Sequence, residues 1–135
     1  MNKEELNRFL YAAFPEFEYF GTVHEIKDEK ITFRLIPNKL HARPGGTVSG
    51  PTMMMMVDTA SWCSILHQIG PEAMAVTTNL NINFLRKPSM EEPLDAVSSL
   101  LKLGKRLAIC EVRIAQGERL VAHGTCTYSI PPQKY

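Results

Sequence analysis

Asp58 is the residue whose type and position point most directly to chemistry. It is the only acid in a stretch from Gly50 to Ile69 that is apolar on nearly every side when read as one helix. A helix of this kind belongs inside a protein, and an ionised carboxylate taken out of water costs several kcal/mol unless it is paired or hydrogen-bonded. Asp58 is therefore either compensated by a structural cap or ion pair, or used in the function of the protein.

The start of the same helix carries a second group able to act on a substrate. Free N–H groups and the positive dipole end of a helix beginning near Gly50 can hold an anion or a developing oxyanion. Simple capping is the alternative, with Ser49 or Gly50 as the N-cap and Pro51 as the first helical residue. At a rise of about 1.5 Å per residue, Asp58 lies about 12 Å along the axis from Gly50. Both can act on one carbonyl only if a second chain brings them together.

Apolar side chains on the helix face of Asp58 predict a binding pocket. Met54 and Met55 precede Asp58, and Trp62 follows it, at spacings that place side chains on one helical face. Flexible thioethers suit a pocket for variable apolar ligands, although filling the core is the simpler role for a methionine. Because the side chains from Met53 to Met56 point round the whole helix, some of them must belong to the core.

Cationic side chains flank these elements, whereas metal-ligand patterns are missing from the sequence. Arg43 precedes the helix and either pairs with a carboxylate, contacts a ligand carbonyl or is exposed. The pair Arg86 and Lys87 follows a strand, where it is solvated or binds phosphate. The four histidines show no metal spacing, and three distant cysteines argue against a disulfide framework or a zinc site. No G-x-S-x-G motif accompanies the helix serines, so a serine hydrolase is not indicated. We expect neither a metal nor a cofactor.

Composition limits the possible partners and the domain count. The chain has 135 residues and a formal net charge of +1, with acids and bases interspersed. This pattern favours neither nucleic acid nor a membrane surface as a partner, and the length suits a single domain over residues 1–135. The N-terminus is polar without an apolar signal region, which predicts a cytoplasmic protein.

The remaining pattern predicts an α+β fold. Asn2 and Glu5 resemble a capping box for a short first helix, and Val76 to Phe84 alternates so that Thr77 shares a face with Asn79, Asn81 and Asn83. Further strands are predicted by β-rich runs with turn-length connections at 19–26, 31–36, 94–103, 106–115 and 120–130. Together these elements predict an antiparallel sheet of five or six strands wrapped round the central helix.

Three segments resemble a known family. They are Arg-Pro-Gly-Gly-Thr-Val-Ser-Gly-Pro-Thr at 43–52, Val-Asp-Thr-Ala at 57–60, and Val-Thr-Thr-Asn-Leu-Asn-Ile-Asn-Phe-Leu-Arg-Lys-Pro at 76–88. Together they are similar to the hotdog-fold acyl-CoA thioesterases of the phenylacetic-acid-degradation type. The resemblance implies a hotdog fold, assembly into homodimers or dimers of dimers, and sites that lie between subunits.

The resemblance also implies roles for individual residues. Asp58 matches the helix carboxylate that activates water or attacks the thioester, Gly50 matches the helix-start amide that polarises the carbonyl from the other subunit, and Thr77 matches a hydroxyl that helps to place water. Arg86 and Lys87 lie near the expected nucleotide end of coenzyme A. The family commonly has His-Gly-Gly at the helix start, where this chain has Ser49-Gly50-Pro51. The Gly50 and Thr52 amides remain as expected donors.

The leading expectation is therefore a cofactor-free thioesterase that hydrolyses an aromatic or medium-chain acyl-CoA, with coenzyme A as part of the substrate. Its substrate-binding residues are expected to be Arg43, Ser49, Met54, Met55, Trp62, Arg86 and Lys87. The alternative is a non-catalytic acyl-CoA-binding or sensing module on the same fold. A hotdog dehydratase is a third interpretation, but its Asp/His pairing is not visible in the sequence.

Overall fold

The structure is a computed structural model that describes residues 1–133. Its helices are α1 (Lys3–Ala13) and α2 (Gly50–Ile69), with short 3-10 helices at Phe17–Tyr19 and Lys39–His41. Its strands are β1 (Thr22–Lys27), β2 (Lys30–Leu35), β3 (Ala42–Arg43), β4 (Thr47–Val48), β5 (Val76–Phe84), β6 (Leu94–Leu103), β7 (Leu107–Gln116) and β8 (Arg119–Ser129).

Within the described residues, six of the strands form one sheet in the order β1-β2-β6-β7-β8-β5. Every neighbouring pair is antiparallel, and α2 packs across the sheet against β2, β5, β6, β7 and β8. The α+β prediction of a sheet round a central helix, with a short N-terminal helix, is confirmed as a hotdog fold. The predicted limits of β5 and β6 match the structure, and those of β7 and β8 are displaced by one residue.

Helix α2 is the core element of the fold because most of its length is enclosed. Ser49 caps its start, and Gly70, in the left-handed region with φ of 90°, ends it as predicted. Gly50 is the first helical residue and Pro51 the second, one position later than expected, and the fixed φ of proline suits the first helical turn. The buried apolar side chains of α2 are Met53, Met56, Val57, Ala60, Trp62, Cys63, Ile65 and Leu66. None of the helices within residues 1–133 has both the length and the apolarity needed to cross a membrane.

The N-terminal segment, residues 1–21 before β1, covers part of α2 that the sheet leaves open. The predicted capping box of α1 is present, since Asn2 accepts from the Glu5 amide and Glu5 accepts from the Asn2 amide. The Asn7 side chain bonds both backbone groups of Val23, at 2.8 and 3.0 Å, and so fastens α1 to β1. After α1, the ring of Phe14 packs edge-on against Trp62 of α2, with 6.0 Å between ring centroids.

Strand β5 is an edge strand with a bulge at Thr78. Thr77 pairs with Tyr128 and Asn79 pairs with Thr127, so Thr78 has no opposing residue on β8. A bulge of this kind inserts one extra residue and re-aims the side chains on one side of it. The side chain of Thr77 therefore lies on the sheet face that carries Tyr128, toward α2.

The uninterrupted alternation predicted for β5 is wrong at this bulge. Thr77 does not share a face with Asn79, Asn81 and Asn83, because the extra residue lies between them. The predicted core face is also shorter than expected: Leu80 and Ile82 are partly buried against the core, whereas Val76 and Phe84, at the two ends, are about half exposed. Uninterrupted periodicity cannot reveal where a strand inserts a residue.

The close approach of α2 to the sheet predicts that Gly124→Ala destabilises the protein. A Cβ at Gly124 would lie 3.2 Å from both Val57 methyl groups and 3.0 Å from the Asn81 carbonyl oxygen. Overpacking of a tight core costs about 1–3 kcal/mol, and we expect that loss in urea unfolding. Ser129→Ala, on the same strand, adds no atoms and should stay within about 0.5 kcal/mol of wild type. Equal stability of both variants would mean that this contact is not tight.

Candidate active site

The side chain of Asp58 is held by three groups from the sheet. Its Oδ1 accepts hydrogen bonds from the Tyr128 hydroxyl, at 2.7 Å, and from the Thr77 hydroxyl. The Cys126 thiol lies 4.0 Å from the same oxygen. Among residues 1–133, none of the ion pairs includes Asp58. The ion-pair alternative for this acid is therefore wrong, and hydroxyl groups compensate its partial burial.

The second carboxylate oxygen of Asp58 faces an open space. No donor within the described residues bonds Oδ2, yet those residues include no buried side-chain nitrogen or oxygen that lacks a partner. Oδ2 is therefore accessible, and Asp58 lines a cavity of about 390 Å³. One oxygen of the carboxylate is fixed by the protein, and the other is free to meet a ligand.

The walls of this cavity are mostly apolar and aromatic. Met55, Thr59 and Trp62 of α2 contribute one side, at helical spacing round Asp58. Phe14, Phe17 and Phe20 of the N-terminal segment contribute another, and the rings of the segment pack edge to face. The arrangement can hold an apolar group with its polar end at Asp58.

Electrostatics keep the groups around Asp58 in their neutral forms. Burial, reinforced by the charge of Asp58, raises the pKa of Tyr128 well above its usual range, so the hydroxyl stays a donor. Burial is the main cause that raises the pKa of Cys126 to about 12, and the charge of Asp58 is the second. A neutral thiol is a poor nucleophile. All three cysteines are buried free thiols, as predicted.

The N-terminus of α2 lies at a different cavity, of about 410 Å³, on the same chain. Gly50 lines it together with Arg43, Arg86 and Lys87. Within residues 1–133 the Gly50 amide donates to no acceptor. Arg86 donates one guanidinium hydrogen to the Leu120 carbonyl, at 2.9 Å. This second cavity combines a free amide at a helix start with three cations, which suits an anionic or carbonyl ligand.

Ser49 is the N-cap of α2, which is one of the two roles expected for it, and its contact with substrate stays a prediction. Its hydroxyl oxygen accepts from the Thr52 amide, at 3.3 Å, and it shares a 2.7 Å hydrogen bond with the Thr52 hydroxyl. The sequence prediction counted the Thr52 amide as a free donor, but the N-cap occupies it. Pro51 has no amide hydrogen at all. Of the first three residues of α2, only Gly50 offers a free N–H.

His41 fixes the loop that leads into this helix start. Its buried ring accepts a hydrogen bond at Nδ1 from the Asn38 amide, at 3.0 Å, and its Nε2 bonds the Tyr19 carbonyl. Its own carbonyl accepts from the Ser49 amide, at 2.8 Å. His41 thus links the N-terminal segment to the residue that caps α2.

The predicted site residues therefore divide into two groups. Asp58, Thr77, Met55 and Trp62 meet at the first cavity, and Gly50, Arg43, Arg86 and Lys87 meet at the second. Met54 lines neither of these cavities and is 42% exposed, because the cavity wall follows the helical stripe through Met55 and not the neighbouring one. No single chain brings Asp58 and Gly50 to one cavity.

Sequence reasoning missed the groups that hold Asp58 and enclose its cavity. Tyr128 follows Gly124 and Cys126 on the inward face of β8, and a buried tyrosine hydroxyl normally needs a partner, so that alternation contained a usable signal. The aromatic residues Phe14, Phe17 and Phe20 recur every third residue after α1, a spacing that matches the 3-10 helix at Phe17–Tyr19. Their contact with α2 depends on tertiary packing that no local pattern records.

Comparison with known proteins agrees with this architecture. Residues 45–123 match the family described as the thioesterase superfamily. A candidate esterase from Pseudomonas aeruginosa is 25% identical over 97% of this chain and 99% of its own length. The crystal structure of a candidate thioesterase from Silicibacter sp. TM1040 is 39% identical, covers 98% of this chain and 93% of that chain, and superposes with a TM-score of 0.88.

A more distant relative shows the fold alone. The structure of the phenylacetic acid degradation protein PaaI from Thermus thermophilus is 21% identical, covers 86% of this chain and 98% of that chain, and has a TM-score of 0.75. The family match and the Silicibacter structure confirm the resemblance to thioesterases, and the PaaI structure confirms the fold. With a family match over more than half of its length and a close structural relative over nearly all of it, the chain belongs to the thioesterase superfamily and is a thioester hydrolase.

Proposed function

We propose that the protein is an acyl-CoA thioesterase whose reaction site forms between two copies of the chain. One observation carries this proposal. Each chain has Asp58 at one cavity and the free helix-start amide of Gly50 at the other, so the acid and this amide lie apart within one chain. A thioester hydrolase needs both at one carbonyl, so the two halves must come from different copies.

The exposed edge of β5 provides a way to join them. The outer backbone groups of an edge strand can pair with a second strand, and a twofold axis across β5 would make that pairing antiparallel. Thr77 and Phe84 are about 24 Å apart along the strand at about 3.4 Å per residue. Antiparallel pairing would set the Thr77 end of one copy beside the Phe84 end of the other, and Phe84 packs over Gly50.

The chemistry then follows from the two halves. The acyl group lies in the aromatic cavity, and Oδ2 of Asp58 removes a proton from water while the water oxygen attacks the thioester carbonyl carbon. The Gly50 amide of the other copy donates to the oxyanion that forms. The tetrahedral intermediate collapses with cleavage of the C–S bond, and the coenzyme A thiolate takes up the proton. Direct attack by Oδ2, followed by hydrolysis of the anhydride, is the alternative route.

The cations of the second cavity support coenzyme A as the thiol carrier. Arg43, Arg86 and Lys87 lie round the cavity that contains the Gly50 amide, where they can contact phosphates. The aromatic walls near Asp58 support an aromatic or medium-chain acyl group, since edge-to-face contacts and apolar burial both favour such a ligand. Hydrolysis of a panel of acyl-CoA thioesters, followed by release of free thiol, tests both statements.

Replacement of Asp58 by asparagine tests its catalytic role. Asp58→Asn retains the shape and the oxygen that accepts from Thr77 and Tyr128, so the melting temperature should be unchanged or higher, while kcat falls about 10²-fold or more. Asp28→Asn, in the exposed β1–β2 turn, is the matched control and should keep normal turnover. A lower melting temperature with near-normal turnover per folded molecule would end the catalytic assignment.

Charge removal at Arg86 and Lys87 tests the coenzyme A contacts. We expect the double change to glutamine to raise KM for acyl-CoA about 5- to 10-fold, because each 1.4 kcal/mol lost is about tenfold in affinity. KM for the same acyl group on a short thiol without a nucleotide should change little. Lys27→Gln, on β1 at the opposite edge of the sheet, is the control. Equal effects on both substrates would remove phosphate contact from the proposal.

Mixed dimers test whether the site is shared. Gly50→Pro removes the amide donor and Asp58→Asn removes the acid, so each variant alone should be nearly inactive. Co-expression at equal levels would rebuild one intact site in each mixed dimer, restoring roughly a quarter of wild-type activity if chains pair at random in twofold dimers. Differently tagged chains allow the mixed species to be purified and assayed. Absence of any recovery in purified mixed dimers would contradict a shared site.

A further inference from the structure

We propose that Tyr128 is a positioning residue that commits Oδ1 of Asp58 to the protein and so leaves Oδ2 as the reacting oxygen. This inference rests on the proposed catalytic role of Asp58. Oδ1 receives the Tyr128 and Thr77 hydroxyls and has the Cys126 thiol nearby. Within the described part of the chain, Oδ2 receives none of them. The two oxygens of one carboxylate are thereby given different tasks.

Tyr128 is better suited to this role than either of its neighbours. Its strand, β8, is hydrogen-bonded on both sides, with Ala108 of β7 and Thr77 of β5 opposite Tyr128. Thr77 lies on the edge strand and is exposed, and the sulfur of Cys126 is a weak donor. The hydroxyl of Tyr128 is therefore the donor whose position is set by the interior of the sheet.

The hydroxyl of Tyr128 also lies close to the main chain of Asp58. It lies 2.7 Å from Oδ1 and 3.1 Å from the main-chain carbonyl oxygen of Asp58. A tyrosine hydroxyl has one hydrogen, and the charged carboxylate is the stronger and nearer acceptor. Contact with both atoms of the same residue places the carboxylate relative to the helix axis, which fixes where Oδ2 meets the thioester carbonyl.

Loss of this contact should act on turnover more than on binding. Without the Tyr128 hydroxyl, the carboxylate can turn and Oδ2 can leave its productive position, and misplacement of a reacting group by about 1 Å can cost about 10²-fold in rate. The acyl cavity retains its walls, because Tyr128→Phe keeps the ring, which is only 4% exposed in the wild type. We expect kcat to fall about 10-fold or more, with KM nearly unchanged.

The experiment is a double-mutant cycle on kcat with Tyr128→Phe and Asp58→Asn. If Tyr128 acts through the carboxylate, Tyr128→Phe should lower kcat strongly in the wild type and change the residual rate of Asp58→Asn less than twofold. The same fold-loss in both backgrounds would show that Tyr128 acts through packing, and would overturn the inference. Tyr11→Phe is the control, since Tyr11 is exposed on α1 and lines neither of the two cavities.

The outcomes separate this inference from the proposed function. Near-normal turnover of Asp58→Asn would overturn the catalytic role of Asp58, and the inference with it. An inactive Asp58→Asn together with a fully active Tyr128→Phe would leave the catalytic role intact and overturn the positioning role alone. Melting temperatures of all four proteins in the cycle show that each comparison is made on folded enzyme.

Discussion

The structure depends on enclosing one apolar helix that also carries a carboxylate. The sheet covers one side of α2. Phe9 and Phe14 of the N-terminal segment cover part of the rest by packing against Trp62 of α2. Enclosure of this kind removes part of the water around Asp58, so its charge is met in part by donors that the fold supplies. The hydroxyls of Thr77 and Tyr128 meet it at one oxygen only. The same enclosure that stabilises the fold therefore leaves a carboxylate with one free oxygen beside an apolar cavity.

A local irregularity delivers one of these donors. Regular alternation along β5 would direct Thr77 away from α2, and the bulge at Thr78 turns it back toward Asp58. The bulge lies at an edge strand, where the cost of disrupting the ladder is lowest because only β8 is paired with it. The edge position that allows the bulge also leaves β5 open to a second copy of the chain. One feature of topology thus supports both the local chemistry and the proposed assembly.

The sequence predicted the elements well and the contacts between them poorly. The start of helix α2 was predicted to within one residue, and its end and both limits of strand β5 were predicted as observed, because periodicity, capping and Gly-Pro signals are local. Asp58 and Gly50 were predicted as site residues for the same reason, because both stand out within one helix. Tyr128 was missed because its partner is 70 positions away in the chain, and the Thr52 amide was miscounted because the orientation of the Ser49 hydroxyl is a property of the folded cap.

The cap at the start of α2 makes the proposed oxyanion site depend on a single amide. Pro51 contributes no N–H, and Ser49 uses the Thr52 amide to stabilise the helix. A hydroxyl acceptor at this position strengthens the start of the helix by about 1 kcal/mol, at the expense of a second donor for the carbonyl. The remaining Gly50 amide still has the positive end of the α2 dipole behind it. The His41 carbonyl accepts from the Ser49 amide and so fixes the residue before this donor, and a preorganised position is what a lone amide needs to act on a developing charge.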